Sequence, residues 1–284
     1  MHAIIYLNRT MVEATKARIA AASSAMLYGR GVFTTVTVHG GQPFLWSRHW
    51  SRLVEHAEKL SIDVSTITEE SVGEAVRKVI AVNQVEKGLA RVILMARGGS
   101  EFWVSKSSNG FKTDLLIMTS NPQRVRSDGL TLAVSRYRFN TTSALAGVKS
   151  LNYLNHLLPW EEARNRDFDE AVMLNERGEI VSATMANIFW VKDGTLHTPT
   201  LSVGAVAGVT RGAVIELAEK QFIPVLEGVY EMGDLTEADE IFLTSASLGI
   251  GFVTTFDFRQ YSVSSGTVAA RLGEGFRKLL KGAI

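Results

Sequence analysis

The stretch LAGVKSLNYLNHLLPWEEA, residues 145–163, sets one lysine, Lys149, at the mouth of an otherwise apolar amphipathic helix. Apolar surroundings disfavour the ammonium form of a lysine and lower its pKa, leaving a neutral amine that can attack an aldehyde. A lysine so placed suits Schiff-base chemistry. Most lysines beside a helix start are solvated, so the stretch acquires meaning only from the segments around it.

Outward from Lys149 the pattern alternates between strand and helix. On the C-terminal side, strands are expected near Glu170 to Leu174, Ile180 to Ala183, Asn187 to Val191 and Thr195 to His197, with NERGE and KDG as turns. A helix from Thr210 to Phe222, strands at Ile241 to Thr244 and Gly251 to Phe256, and a helix from Thr267 to Leu280 follow. On the N-terminal side a strand opens at Leu130, preceded by the polar stretch Ser120 to Asp128, which contains Pro122 and reads as a linker. Before it come a hairpin, Ala3 to Leu7 and Thr10 to Glu13 around Asn8-Arg9, the β-branched run Val32 to Val38, a Gly40-Gly41 turn and a short strand at Pro43 to Trp46. Ser47 to Leu60 and Glu69 to Val82 carry helical periodicity with Ser47 and Thr68 as N-caps, and strands follow at Ala90 to Ala96 and Thr113 to Thr119. The reading is α+β in two domains: residues 1–120, a linker at 121–127, and residues 128–284.

Composition narrows the function. The 284 residues are 46% hydrophobic and 21% charged, which is enough apolar material for a large core. With a net charge of +1 and 30 basic residues spread along the chain, nothing calls for nucleic acid or an anionic membrane surface. The absence of cysteine excludes disulfides, thiolate nucleophiles and thiolate metal sites. His49 and His56 lie seven apart on one expected helix, but no carboxylate or third histidine stands at a ligand spacing, so no metal is expected. No signal segment or membrane span is legible, and a cytoplasmic protein acting on small molecules is the expectation.

Three segments suit anions. AVAGVTRGAVIELAEK (205–220) places Gly208 and Thr210 at a helix start, where unpaired N–H groups and the helix dipole favour a phosphate, although an ordinary cap reads the same way. LTSASLGIG (243–251) ends a strand with Thr244, Ser245 and Ser247, a turn rich in hydroxyl donors or simply a loop. In RHWSRL (48–53), Arg48 and Arg52 share one helical face, solvated or forming a fork for a phosphate.

Taken in order, YGRGVFTT (28–35), HWSRL (49–53), KSLNYL (149–154), SATMANIFW (182–190), GVTR (208–211) and ADEIFLTSAS (238–247) resemble the class IV aminotransferases. These are the fold type IV pyridoxal phosphate enzymes, comprising branched-chain aminotransferases, D-amino acid aminotransferases and aminodeoxychorismate lyases. The resemblance spans nearly the whole chain. It implies a smaller N-terminal α+β domain, a larger C-terminal domain with a β-barrel-like core, pyridoxal 5'-phosphate in the cleft between them, and a homodimer. It makes Lys149 the Schiff-base lysine and proton shuttle, Arg52 a phosphate ligand, and the backbone of Val209 and Thr210, with the Ala246-Ser247 turn, the rest of the phosphate cradle. Asn152 or Tyr153 would reach the phenolic oxygen of the cofactor. Tyr28 falls where the family places an aromatic at the substrate pocket.

One position departs from the family. A glutamate usually stands five residues before the asparagine of the NxF motif and holds a proton on the pyridine nitrogen; counting back from Asn187 gives Ser182. A neutral hydroxyl stabilises a pyridinium less than a carboxylate does, which weakens the electron sink and favours eliminations. Glu179 is a candidate substitute acid and Thr184 a second hydroxyl. The Arg-x-His carboxylate trap of the D-amino acid enzymes is replaced by Phe102 and Val104 in ARGGSEFWVS, whereas Arg91, with Arg97 as a second candidate, stands where branched-chain enzymes bind a substrate carboxylate. The resemblance therefore implies first an aminotransferase acting on an amino donor and a 2-oxo acid. Close behind stands an aminodeoxychorismate lyase, and a non-catalytic cofactor-binding protein comes third, with Ser182 as its only support.

Overall fold

A computed structural model of the protein describes residues 1–97, 111–122 and 128–282. Phe102, Val104 and most of the expected linker lie outside the described residues. The chain divides into two compact units, Met1–Gln123 with Val148–Tyr153, and Arg124–Gly147 with Leu154–Ile284.

The first unit is one antiparallel sheet with its two longer helices on one face. β1 (Ile4–Leu7) and β2 (Thr10–Glu13) form the expected hairpin, with Asn8 and Arg9 both at positive φ, 47° and 74°. After α1 (Ser24–Tyr28) come β3 (Gly31–His39), β4 (Gln42–Pro43), α2 (Trp46–Lys59), α3 (Glu69–Val82), β5 (Lys87–Ala96) and β6 (Thr113–Ser120), giving the sheet order β2-β1-β6-β5-β3-β4. Alternation along the strands divides the core between the two faces. Val32, Val38, Ala90, Val92 and Leu94 pack with Leu53, Ala57, Val72 and Val76 of the helices, while Phe33, Ile93, Met95 and Leu116 form a second cluster with Ile5.

Two local expectations change. Helix α2 is capped by Leu45 in the left-handed region (φ 51°) with no side-chain cap, and the Ser47 hydroxyl donates to Glu69 instead. The turn at Leu45 also displaces the expected strand at Pro43 to Trp46, of which only Pro43 is extended, in a two-residue strand with Gln42. Helix α3 has its cap at Thr68, completed by Ser71 as a capping box.

Lys149 does not stand at the mouth of a helix. β4 pairs only with Val38 and His39, so the outer edge of β3 near Gly31 is open to another strand, and residues 149–151 take it. Phe33 N–H donates to the Lys149 carbonyl at 3.0 Å, Leu151 N–H donates to the Gly31 carbonyl at 2.8 Å, and Val32 and Ser150 form an antiparallel bridge. These bonds are why Val148–Tyr153 belongs with the first unit rather than with the rest of residues 128–284. The helix after it, α4, begins only at Leu154 and runs to Arg164.

The second unit holds β7 (Leu130–Phe139), α4, β8 (Glu170–Asn175), β9 (Ile180–Ala183), β10 (Asn187–Lys192), β11 (Thr195–Pro199), α5 (Val209–Lys220), β12 (Val225–Gly228), α6 (Met232–Thr236), β13 (Glu240–Ser245), β14 (Gly249–Phe256), β15 (Arg259–Gln260) and α7 (Val268–Leu280). The strands follow the order β12-β11-β10-β13-β14-β7-β8-β9, with β15 paired to β14. Laid flat, β9 and β10 would be five strand spacings apart, roughly 24 Å. The connection from Ala183 to Asn187 spans at most about 14 Å, and it is tightened further by the bond from Ala183 N–H to the Ala186 carbonyl. The sheet must therefore curl on itself. Leu132, Val172, Ile180, Ile188, Trp190, Leu243 and Val253, from β7 through β14, meet in one core cluster, the barrel-like core that the resemblance implied.

Gly31 tests the pairing of Lys149's segment. A Cβ there would lie 2.5 Å from Leu151 Cδ1 and 2.9 Å from the Leu94 carbonyl oxygen. Gly31→Ala is expected to destabilise the protein by about 1–3 kcal/mol, read by chemical denaturation. Unchanged stability would mean that the segment does not pack against β3.

Candidate functional site

In the first unit the candidate side chains Lys149 and Arg52 lie where the Lys149 strand meets β3 and α2. Lys149 Nζ donates to Tyr153 Oη at 3.0 Å and lies 4.7 Å from the ring centres of both Phe33 and Tyr153, which meet edge to face. His49, Arg52 and His56, spaced by three and four residues, share one face of α2. Arg52 Nη2 donates to Thr34 Oγ1 at 2.9 Å, and Thr34 Oγ1 lies 2.7 Å from His49 Nδ1. Because a guanidinium only donates, the threonine oxygen accepts from Arg52 and has its own proton to give to His49. His56 Nδ1 accepts the Lys149 backbone N–H at 3.1 Å.

The electrostatics follow from burial among like charges. Burial, then the charges of Arg52 and Arg91, bring Lys149 from 10.5 down to about 7. Burial lowers Arg52 to about 10 despite an opposing contribution from Tyr153. His49 falls to about 3 and His56 to about 4, each by burial first and then by the neighbouring Arg52. Both histidines are neutral at pH 7, as an accepting Nδ1 on His56 requires. The net shifts show that the protein around Lys149 and Arg52 does not offset the cost of burying their charge. An anion would. By contrast, Arg97 is raised by its pairing with Asp114, to which its Nε donates at 2.8 Å.

Arg97, the second candidate for a substrate carboxylate, is thus already paired with a carboxylate of the protein. Arg91 is exposed, donates from Nε to Thr35 Oγ1 at 3.2 Å and sets its guanidinium 4.9 Å from the centre of the Phe33 ring, the ring that Lys149 also touches. Of the two candidates for the phenolic oxygen, Tyr153 turns to Nζ, whereas Asn152 is exposed and its backbone lies beside Gly29. Tyr28 ends α1 next to Gly29, with 43% of its surface exposed. Arg48 is exposed.

In the second unit, α5 starts at Val209 with Gly208 as its N-cap and no side-chain cap, and Thr210 is buried. A Cβ on Gly208 would lie 2.0 Å from Asn187 Oδ1, so only glycine fits there. Asn187 holds the Val206 carbonyl through Nδ2 at 2.9 Å and pairs across the sheet with Thr244. Thr244 Oγ1 is buried with no hydrogen-bond partner among the described residues. In the turn that follows, Ser245 and Ser247 bring their hydroxyls within 3.1 Å, with Ala246 between them. Arg211 anchors the helix start, donating to the Pro199 carbonyl at 3.0 Å and to Glu227. An uncapped helix start and an orphaned buried hydroxyl, with a glycine forced by close approach, are features that suit an anion.

Ser182 is buried on β9 and gives its proton to the Ala183 carbonyl at 2.8 Å. Glu179 is not its substitute, because that carboxylate is held in the NERGE turn by Arg177 at 2.7 Å and by Asn175. The Thr184 hydroxyl is likewise committed, donating to Glu170. Glu170, missed in the sequence, is a buried carboxyl on β8 that also accepts the Met185 N–H at 3.3 Å, and burial raises it from 4.5 to about 7. A glutamate in a strand buried along its whole length, EAVMLN, was the available signal.

Residues 31–256 match the Amino-transferase class IV family. A branched-chain-amino-acid aminotransferase of Escherichia coli is 30% identical, over 98% of this chain and 93% of its own. An aminodeoxychorismate lyase of Bacillus subtilis is 29% identical, over 99% and 96%. The crystal structure of a branched-chain aminotransferase from Thermoproteus uzoniensis, with norvaline, superposes with a TM-score of 0.91 at 27% identity and covers 100% of this chain and 96% of that one. The chain belongs to the class IV aminotransferase family. Among the described residues no helix is long and apolar enough to cross a membrane, and no cluster of His, Asp and Glu is fit to hold a metal.

Glu170 sets a pH dependence that can be measured. A carboxyl raised in the folded state contributes stability below its unfolded pKa and loses it as pH rises through the folded value, here between about 4.5 and about 7. Relative to Glu170→Gln, the wild type should therefore lose roughly 1–3 kcal/mol across that window. Denaturation curves at pH 4.5, 6 and 8 check this, and parallel profiles would remove the buried carboxyl from the account.

Proposed function

We propose that this protein is a pyridoxal phosphate-dependent aminotransferase that moves an amino group from an amino acid to a 2-oxo acid, with Lys149 as its cofactor-binding lysine. The observation that carries this reading is an amine brought to about 7 among Arg52, Arg91 and two aromatic rings. Bound pyridoxal phosphate supplies an aldehyde that condenses with amines and a ring that delocalises electrons left on a substrate carbon. At neutral pH a large share of Lys149 is the neutral amine, so Nζ can act as nucleophile and later carry a proton without an external base. Tyr153 orients Nζ through its hydroxyl, and Arg52, fixed through Thr34 to His49, presents a charged fork to a phosphate. Val209, Thr210 and the Ala246-Ser247 turn are assigned, on the family likeness, as neutral phosphate donors. Arg91, exposed beside Phe33, is assigned the substrate carboxylate, and Tyr28 a wall of the pocket. The same reading carries a cytoplasmic homodimer, for which the exposed Met26 and Leu27 of α1 supply apolar surface.

A second reading, elimination of the aminodeoxychorismate lyase type, rests on Ser182. Its hydroxyl is neutral and its proton is already given to Ala183, so it adds no negative charge beside a ring nitrogen. Less electron withdrawal suits a reaction with a good leaving group better than amino transfer.

Borohydride reduction in the presence of pyridoxal phosphate, followed by peptide mapping, is expected to place the label on Lys149, with capture rising through a midpoint near pH 7. Arg91→Gln removes a like charge and should move that midpoint upward. A label on another lysine refutes the assignment. The two readings part on product: keto acid from L- or D-amino acids with a 2-oxo acid acceptor, against pyruvate and 4-aminobenzoate from aminodeoxychorismate.

A further inference from the structure

Lys149 is placed by its backbone as well as by its side chain. Its carbonyl is held by Phe33 N–H, and its own N–H faces α2 rather than the sheet. The acceptor there is His56 Nδ1, on a residue 3% exposed and one helical turn from Arg52 on the same face of α2. We propose that His56 is a positioning residue for Lys149, its imidazole fixing the lysine peptide so that Nζ is held over Phe33 and against Tyr153 Oη. The inference rests on the reading of Lys149 as the cofactor-binding lysine.

Two features make His56 suited to this task. A buried peptide N–H must find an acceptor, and the lysine strand has given its other edge bonds to β3, so without the imidazole this donor is stranded. The groups facing His56 are Arg52, Lys149, Glu55 and Lys59; their positive majority, added to burial, keeps the ring neutral and its Nδ1 lone pair available. The bond therefore persists across the whole pH range in which the Lys149 amine is reactive.

The test uses the full-length protein with pyridoxal phosphate as probe and three variants. His56→Leu fills the space and removes the acceptor. His56→Asn keeps an oxygen near the place of Nδ1, and His56→Gln moves the amide one carbon too far. In the cofactor-free protein, exchange of the Lys149 amide, read on its peptide by mass spectrometry, should quicken about tenfold in His56→Leu, the exchange equivalent of one lost hydrogen bond. Pyridoxal phosphate release should quicken about as much, and His56→Asn should restore both toward wild type at matched thermal stability. Release unchanged in His56→Leu, or His56→Asn behaving like His56→Leu, overturns the proposal. Should His56→Leu fail to fold, the contrast between His56→Asn and His56→Gln decides: equal release from the two overturns it, and faster release from His56→Gln supports it. Borohydride labelling of the wild type is run alongside. A label away from Lys149 sinks the reading of the lysine and this inference with it, whereas a label on Lys149 with no effect of His56 removes the inference alone.

Discussion

The pairing of residues 149–151 with the open edge of β3 is the constraint on which the chemistry depends. Two backbone bonds and one bridge put a lysine where no helix or loop would hold it, at a sheet edge with α2 on one side and Phe33 on the other. Gly31 leaves room for Leu151 to approach. Because the strand is short, its alignment leans on side chains beyond the ladder, and those side chains are the polar face of α2.

Electrostatics then sets what this lysine can do. Lys149, Arg52 and Arg91 gather in protein that depresses all three cations, and two neutral histidines fill the space between without adding charge. Such an arrangement is unfavourable for folding alone and favourable for holding an anion with a reactive carbonyl. The second unit, taken by itself, offers neutral donors: a helix start without a cap, Thr244 with a hydroxyl that has no partner among the described residues, and the serines of the next turn, dipoles of the kind that suit an anion.

Much of this was legible along the chain. Strands such as VFTTVTV and ARVILMA announce themselves because each serves two different faces, and Thr68 marks its helix because a side-chain oxygen three residues ahead of a free N–H is local chemistry. Lys149, Arg52 and the helix start at Val209 were legible through motifs. The setting of Lys149 was not, since its partners Gly31 and Phe33 lie more than a hundred positions away and nothing in KSLNYL distinguishes a strand edge from a helix entrance. His56 was set aside as a metal ligand and given no other role, because periodicity places a ring on a face without saying what the ring meets. Glu170 was passed over for a similar reason: a carboxylate at a strand start reads as solvent-facing until Thr184 and Met185 fold over it.

The three crossings of the chain between units carry a further consequence. The polypeptide leaves the first unit, builds β7, comes back to lay down Val148–Tyr153, and departs again at Leu154. During synthesis, the six-stranded sheet is therefore complete well before its edge is closed, and the lysine arrives on a stretch already tethered to a strand of the other unit. A fragment ending near residue 122 has the sheet and Arg52 but an unclosed edge at Gly31 and lacks Lys149. The units are also tied mechanically: peeling the lysine strand from β3 pulls on β7 and α4 at once. Cooperativity between the two halves is thus written into the order of the chain, before any contact between their surfaces is considered.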